Sequence, residues 1–219
     1  MKTAGRAFGM ALAIAVVLAV SAVALAGSAK TEGGLLKGAV HADVSKLMEN
    51  GTTREVTLDR GAVTASSATS ISLARADGQS VTLAVALATT VRGPIAVGSK
   101  ALVLSRDGTA LSIRIRGAGK KGLHLLRGAV HATIDLIKAD GSTDSITYDR
   151  GEITAKTSSS ITLKRKDGKS VTLAADSTTK VREKHTLVTL ADLQVGDRAM
   201  FFSRDGKAFL IRCITKAKA

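Results

Sequence analysis

Ser160-Ile161-Thr162-Leu163-Lys164-Arg165-Lys166-Asp167-Gly168-Lys169-Ser170-Val171-Thr172-Leu173-Ala174 decides the fold. Ile161 and Leu163, then Val171 and Leu173, alternate with polar residues on either side of Asp167-Gly168. Period two with one apolar face describes a half-buried strand, and Asp-Gly between two such runs is a hairpin signal. The stretch occurs twice. Ninety positions earlier stands Ser70-Ile71-Ser72-Leu73-Ala74-Arg75-Ala76-Asp77-Gly78-Gln79-Ser80-Val81-Thr82-Leu83-Ala84.

The duplication extends outward in both directions. Leu35-Leu36-Lys37-Gly38-Ala39-Val40-His41-Ala42 returns as Leu125-Leu126-Arg127-Gly128-Ala129-Val130-His131-Ala132, and Asp59-Arg60-Gly61 as Asp149-Arg150-Gly151. After Arg92 and Arg182 the offset becomes 98, which matches Ser105-Arg106-Asp107-Gly108 to Ser203-Arg204-Asp205-Gly206. The second copy therefore carries residues 183–194 where the first has only 93–96. Within that insertion Thr189 to Gln194 reads as one helical turn, capped by Thr189 with Asp192 answering at the third position.

Six Asn-Gly or Asp-Gly pairs punctuate the chain, at 50-51, 77-78, 107-108, 140-141, 167-168 and 205-206. The expected architecture is all-β: two tandem small antiparallel barrels or sandwiches of about seven strands each. Ala101 to Leu104 and Ala199 to Phe202 are apolar on both faces, so these strands are expected to be central or to cover an interface. The boundaries read as a signal peptide at 1–26, a lead-in at 27–34, repeat 1 at 35–117, a linker at 118–124, repeat 2 at 125–215 and a basic tail at 216–219. The glycine-rich basic linker suggests two beads on a short tether, with a single barrel sharing strands as the alternative.

Lys2 and Arg6, the apolar run from Ala7 to Ala26 and the small residues of Ala24-Leu25-Ala26 form an export signal. The expected location is the periplasm, the cell wall or the exterior, with no transmembrane span in the mature chain; the alternative is an uncleaved N-terminal membrane anchor. The lone Cys213 excludes an internal disulfide and, as the counterpart of Ile115, reads as a buried inert thiol.

The formal net charge is +14, and +12 remains without Lys2 and Arg6. Such a surface attracts polyanions. The most basic hairpin is Lys164, Arg165, Lys166 and Lys169, and Lys120, Lys121 and Arg182 extend the expected polyanion patch. The counterpart hairpin in repeat 1 is nearly neutral. Stacking platforms for bases are scarce, because Tyr148 and Phe209 hold inward-phase positions, so only non-specific contact with nucleic acid is expected.

His41 and His131 recur in Ala-Val-His-Ala, with Asp43 beside the first but Thr133 in its place in the second and Asp135 the nearest acid. One histidine with one inconsistent carboxylate falls short of a ligand set, so both read as exposed strand histidines and no metal or other cofactor is expected. The Asp-Arg-Gly triplets read as turns, with Asp bonding the backbone, Gly at an unusual φ and Arg lying along the sheet; the alternative has Arg gripping a carboxylate or phosphate. No nucleophile elbow or phosphate-cradling loop is present, and no catalytic residue is assigned.

Ser160-Ile161-Thr162-Leu163, Asp167-Gly168, Val171-Thr172, Asp192-Leu193-Gln194-Val195-Gly196-Asp197 and Asp205-Gly206 resemble the motifs of an uncharacterised family of exported bacterial β-domains. Repeat 1 departs from it at Gly93-Pro94-Ile95-Ala96 and Ser99. The resemblance implies a small β-barrel with no assigned activity. The expected function is a non-catalytic binding or scaffolding role in the cell envelope or outside the cell, touching an anionic wall polymer or extracellular DNA. A structural module pairing with proteins through strand edges is the alternative, and a metal-dependent hydrolase using His41 and His131 ranks third.

Overall fold

The computed structural model describes residues 38–115, 125–183 and 186–215. The expected signal peptide, lead-in, linker and basic tail lie outside these residues, as do Lys120, Lys121, His124 and His185. Among the described residues the chain is almost entirely strand. Repeat 1 contributes β1 (Ala39–Leu47), β2 (Thr53–Ser66), β3 (Ser70–Arg75), β4 (Ser80–Arg92), β5 (Lys100–Arg106) and β6 (Thr109–Ile115). Repeat 2 contributes β7 (Ala129–Ile137), β8 (Thr143–Lys156), β9 (Ser160–Arg165), β10 (Ser170–Ala174), β11 (Lys180–Glu183), β12 (Thr186–Val188), β13 (Arg198–Arg204) and β14 (Lys207–Thr215). The count is six and eight rather than seven in each. The long β4 corresponds to both β10 and β11, and the insertion adds β12.

The all-β reading holds, and each of the six expected turn dipeptides joins two antiparallel neighbours: β1 to β2, β3 to β4, β5 to β6, β7 to β8, β9 to β10 and β13 to β14. Asp107-Gly108 and Asp205-Gly206 have positive φ at both residues (50° and 71°, 46° and 75°), the combination that matches the twist of the flanking strands. The helical turn is a short 3₁₀ segment, Leu190–Asp192, in which the Asp192 carboxylate accepts the Thr189 N–H at 2.8 Å and its hydroxyl at 2.7 Å.

Within each copy the pairings return to their starting strand. In repeat 1 they run β2, β3, β4, β6, β5 and back to β2, and in repeat 2 β8, β9, β10, β14, β13 and back to β8. Each circuit surrounds its own core. Val63, Ile71, Leu73, Val103 and Ile113 fill the first, and Ile153, Ile161, Leu163, Phe201 and Ile211 the second. The Cys213 thiol is buried in the second core, as its repeat position predicts.

The two copies are not separate beads, because β1 pairs with β7 and makes one continuous sheet. Asp43 lies opposite Thr133, Ala42 opposite Ile134 and Val44 opposite Ala132. Since equivalent residues differ by 90, this register places a pseudo-two-fold axis between Asp43 and Thr133. Ala42, Val44, Ala132 and Ile134 then face a third core, shared by the copies, with Leu58, Tyr148 and Phe202. Leu102 and Leu104 of β5 and Met200 of β13 pack against it, while Ala101, Val103, Ala199 and Phe201 point into the circuits. The strands that are apolar on both faces therefore cover an interface. Tyr148 and Phe202 meet edge to face, with ring centroids 5.3 Å apart, a geometry that adds about 1 kcal/mol beyond area burial.

Candidate functional site

Among the described residues, two polar clusters, one per copy, bury charge at equivalent positions. Period two on β3 puts Ile71, Leu73 and Arg75 on the inward face, and on β9 Ile161, Leu163 and Arg165. Both guanidiniums thus end at the mouth of a core. Arg165 donates from Nη1 to Asp149 Oδ1 at 2.9 Å, from Nε to Asp167 Oδ1 at 3.1 Å and from Nη2 to Asp167 Oδ2 at 2.7 Å. Arg75 donates to Asp59 Oδ1 at 3.0 Å and forks onto Asp77. The central carboxylates, Asp59 and Asp149, are each only 1% exposed.

The histidines complete the clusters. His41 Nδ1 lies 2.9 Å from Asp59 Oδ1, and His131 Nδ1 lies 2.8 Å from Asp149 Oδ1. Their side chains are 20% and 29% exposed, so the exposed-histidine expectation is corrected: each ring is held against a buried carboxylate. His41 Nε2 also lies 3.2 Å from Asp43 Oδ2, which in turn accepts the Thr57 hydroxyl at its Oδ1. Among the described residues no group of three or more His, Cys, Asp or Glu is arranged to hold a metal.

The turn reading of Asp59-Arg60-Gly61 and Asp149-Arg150-Gly151 is overturned, since both triplets lie in the middle of long strands, β2 and β8. Glycine is needed there for space. A Cβ on Gly61 would sit 2.4 Å from the Ala74 carbonyl oxygen, and one on Gly151 2.2 Å from that of Lys164.

The Arg165 guanidinium holds Asp167 below the ordinary carboxylate range. Burial pushes that group up, but the hydrogen bonds from Arg165 and from the Lys169 N–H outweigh it. Asp77 is likewise lowered, chiefly by its hydrogen bonds from Arg75. These clusters consume the charge of Arg165, which therefore leaves the expected surface patch. Lys164, Lys166 and Lys169 stay exposed at the hairpin and Arg182 is exposed on β11. The hairpin is less uniformly basic than it reads, because Lys164 lies opposite Glu152, which lies opposite Arg198.

A different basic feature appears once register is known. Arg60 on β2 lies opposite Leu102 on β5, which lies opposite Arg114 on β6, which lies beside Arg92 on β4. In repeat 2 the same row is Arg150, Met200, Arg212 and Arg182 across β8, β13, β14 and β11. Four neighbouring strands place these three arginines within about 14 Å of sheet width. The alternation that sends Ile113 and Ile211 inward turns all six arginines to the outer face, where Arg60, Arg92, Arg150 and Arg182 are exposed and Arg114 and Arg212 half-buried.

No family model and no curated protein matches the chain. What the arrangement can do must therefore be read from its own geometry. The row stands at the rim of the shared core, where Leu102 and Met200 anchor its centre. Arginine forks recognise phosphate and carboxylate groups bidentately, and a row of them suits a ligand with repeated negative charge.

Sequence reasoning named Arg182 and considered Arg60 and Arg150, but it missed Arg92, Arg114 and Arg212. The available signal was persistence: all three positions remain Arg in both copies, whereas the hairpin lysines are Ala, Ala and Gln in repeat 1.

Proposed function

We propose that this protein belongs with the exported bacterial β-domains that its motifs resemble. In this reading it serves without catalysis as a binding or scaffolding protein of the cell envelope or exterior, contacting an anionic polymer through its basic surface. The observation that carries the reading is the arginine row, kept in both copies through a change of offset. Lys164 lies on the same side as the row in repeat 2: it is in line with Glu152, two residues along β8 from Arg150. The net charge of +14 supports steering of the protein toward polyanions.

Binding to single-stranded DNA and to isolated wall polymer across a salt series tests this. Each phosphate contact contributes about −0.7 to −0.9 to the slope of log affinity against log salt. Replacing Arg60, Arg92 and Arg114 by Gln, or Arg150, Arg182 and Arg212, is expected to flatten the slope by about 2 if most of a row engages. Replacing Lys164, Lys166 and Lys169 is expected to flatten it less. Salt-independent binding, or an unchanged slope in both arginine variants, refutes the reading.

A second reading, pairing with proteins through a strand edge, is favoured by one observation: among the described residues no strand lies on the outer edge of β4 at Thr90–Arg92, where its counterpart β11 has β12.

A further inference from the structure

The copies differ most where repeat 2 carries its insertion, and among the described residues that difference leaves one edge without a covering strand. In repeat 2, β11 has β14 on one side and β12 on the other, with Val181 opposite Val188. Val188 and Leu190 pack on the second core, Leu193 enters it, and Val181 is only 1% exposed. Lys156 pins this cover by donating to the carbonyls of Leu190, Ala191 and Leu193 at 3.3, 2.9 and 2.5 Å.

Repeat 1 has the same strand without the cover. Thr90-Val91-Arg92 of β4 pairs with β6 as Lys180-Val181-Arg182 pairs with β14. Among the described residues no strand lies on its other side, and Ser66 replaces Lys156. Val91 is consequently 46% exposed. Ile95 takes the position of Leu193 but is only partly buried.

The stretch of β4 preceding this edge, a turn in repeat 2, has also become apolar. Asp176-Ser177-Thr178-Thr179 in repeat 2 is Ala86-Leu87-Ala88-Thr89 in repeat 1. The Asp176 carboxylate bonds to Thr178 and Lys207 are lost with that change, but the threonine bonds are kept. Thr89 Oγ1 accepts the Ala86 N–H at 3.0 Å and donates to the Ala110 carbonyl at 2.7 Å, as Thr179 does with Asp176 and Ala208 at 3.1 and 2.8 Å. Backbone geometry therefore does not call for Leu87, yet Leu87 stands fully exposed at the tip.

We propose that the outer edge of β4 over Thr90–Arg92, with Leu87 beside it, receives an extended segment of a partner protein, added antiparallel as β12 is added to β11. Main-chain hydrogen bonds supply the affinity and the side-chain pattern the specificity, as in strand addition generally. The segment carries an apolar residue over Val91 and carboxylates at its flanks. Those acids face Arg92 and its neighbour Arg114, which share one rung of the sheet. A second copy of this chain fits less well, because it would bring two basic edges together in a molecule of net charge +14.

The chain supplies its own probe: a labelled synthetic peptide copying residues 186–193, which is the cover of β11. Titrated with the full-length protein, it is expected to bind saturably. Val91→Lys, which places a charge on an already exposed edge, is expected to weaken binding roughly tenfold or more, and Leu87→Ser to weaken it measurably. A variant peptide with Asp at both ends is expected to bind more tightly. Absence of saturable binding, or equal binding by the Val91→Lys protein, overturns the proposal. So does a solution mass that rises with concentration and returns to monomer in Val91→Lys, because the occupant is then a second copy. Binding of the unmodified peptide is expected to persist at salt concentrations that abolish polymer binding, so failure here is distinct from failure of the polyanion reading.

Discussion

Asp149 and Asp59 occupy equivalent places, yet their removal should not cost the same. Asp149→Ala deletes the acceptor of the Arg165 Nη1 bond at 2.9 Å and of the His131 contact at 2.8 Å. The Arg165 side chain is 6% exposed and keeps only Asp167. Breaking one partner from a buried ion pair costs about 3 to 5 kcal/mol, and the surviving Asp167 bonds place this case near the lower figure. Asp59 differs in one atom: its Oδ2 is buried without a partner. An orphaned buried acceptor itself costs about 1 to 3 kcal/mol, so Asp59→Ala removes a penalty together with the favourable bonds. Asp149→Ala is therefore expected to be the more destabilising by at least about 1 kcal/mol. Equilibrium urea unfolding followed by circular dichroism, with the slopes compared to check that both variants unfold alike, measures the difference. Equal costs, a reversed order, or a cost for Asp149→Ala below about 1 kcal/mol, the range of exposed pairs, would refute the reasoning.

Gly151→Ala forces a Cβ to 2.2 Å from the Lys164 carbonyl oxygen, so β8 and β9 must separate, and a loss of about 1 to 3 kcal/mol in the same unfolding assay is expected. Burial raises the Tyr148 hydroxyl to about 12. A raised folded value gives stability that is complete below the unfolded value of 10 and is lost as pH rises through 12, so absorbance should show no phenolate near pH 10 in the folded protein. Asp77 and Asp167 behave oppositely: their lowered values give stability present above 3.8 and lost as pH falls through the folded value. Acid unfolding should accordingly begin below about pH 4, and earlier onset near neutrality would contradict the assignment.

Strands and turns were legible because they are encoded locally. Ile161, Leu163, Val171 and Leu173 announce their face, and each Asp-Gly or Asn-Gly sits at a hairpin. The double role of Val103 and Leu104, or of Phe201 and Phe202, was visible as well, since a strand without a polar face must be covered twice. The clusters were not read, although the alternation that buries Ile71 and Leu73 continues to Arg75. An arginine at the end of a strand ordinarily signals exposure, and its partners, Asp59 and His41, are 16 and 34 positions away. The arginine row was hidden for a related reason: Arg60, Arg114 and Arg92 become neighbours only through non-local register, which no periodicity in the chain specifies. The pairing of β1 with β7 depends in the same way on which two edges meet.

The pseudo-two-fold axis between Asp43 and Thr133 is what a dimer of single copies would have, drawn onto one polypeptide. A dimer comes apart on dilution, since its halves must find each other again at their bulk concentration. Joined on one chain, the halves meet at an effective concentration of about millimolar, whatever the abundance of the protein. The paired state of β1 and β7 is thereby independent of how thinly the protein is spread. Because one gene encodes two halves that can mutate separately, one edge could acquire its cover while the other kept an opening.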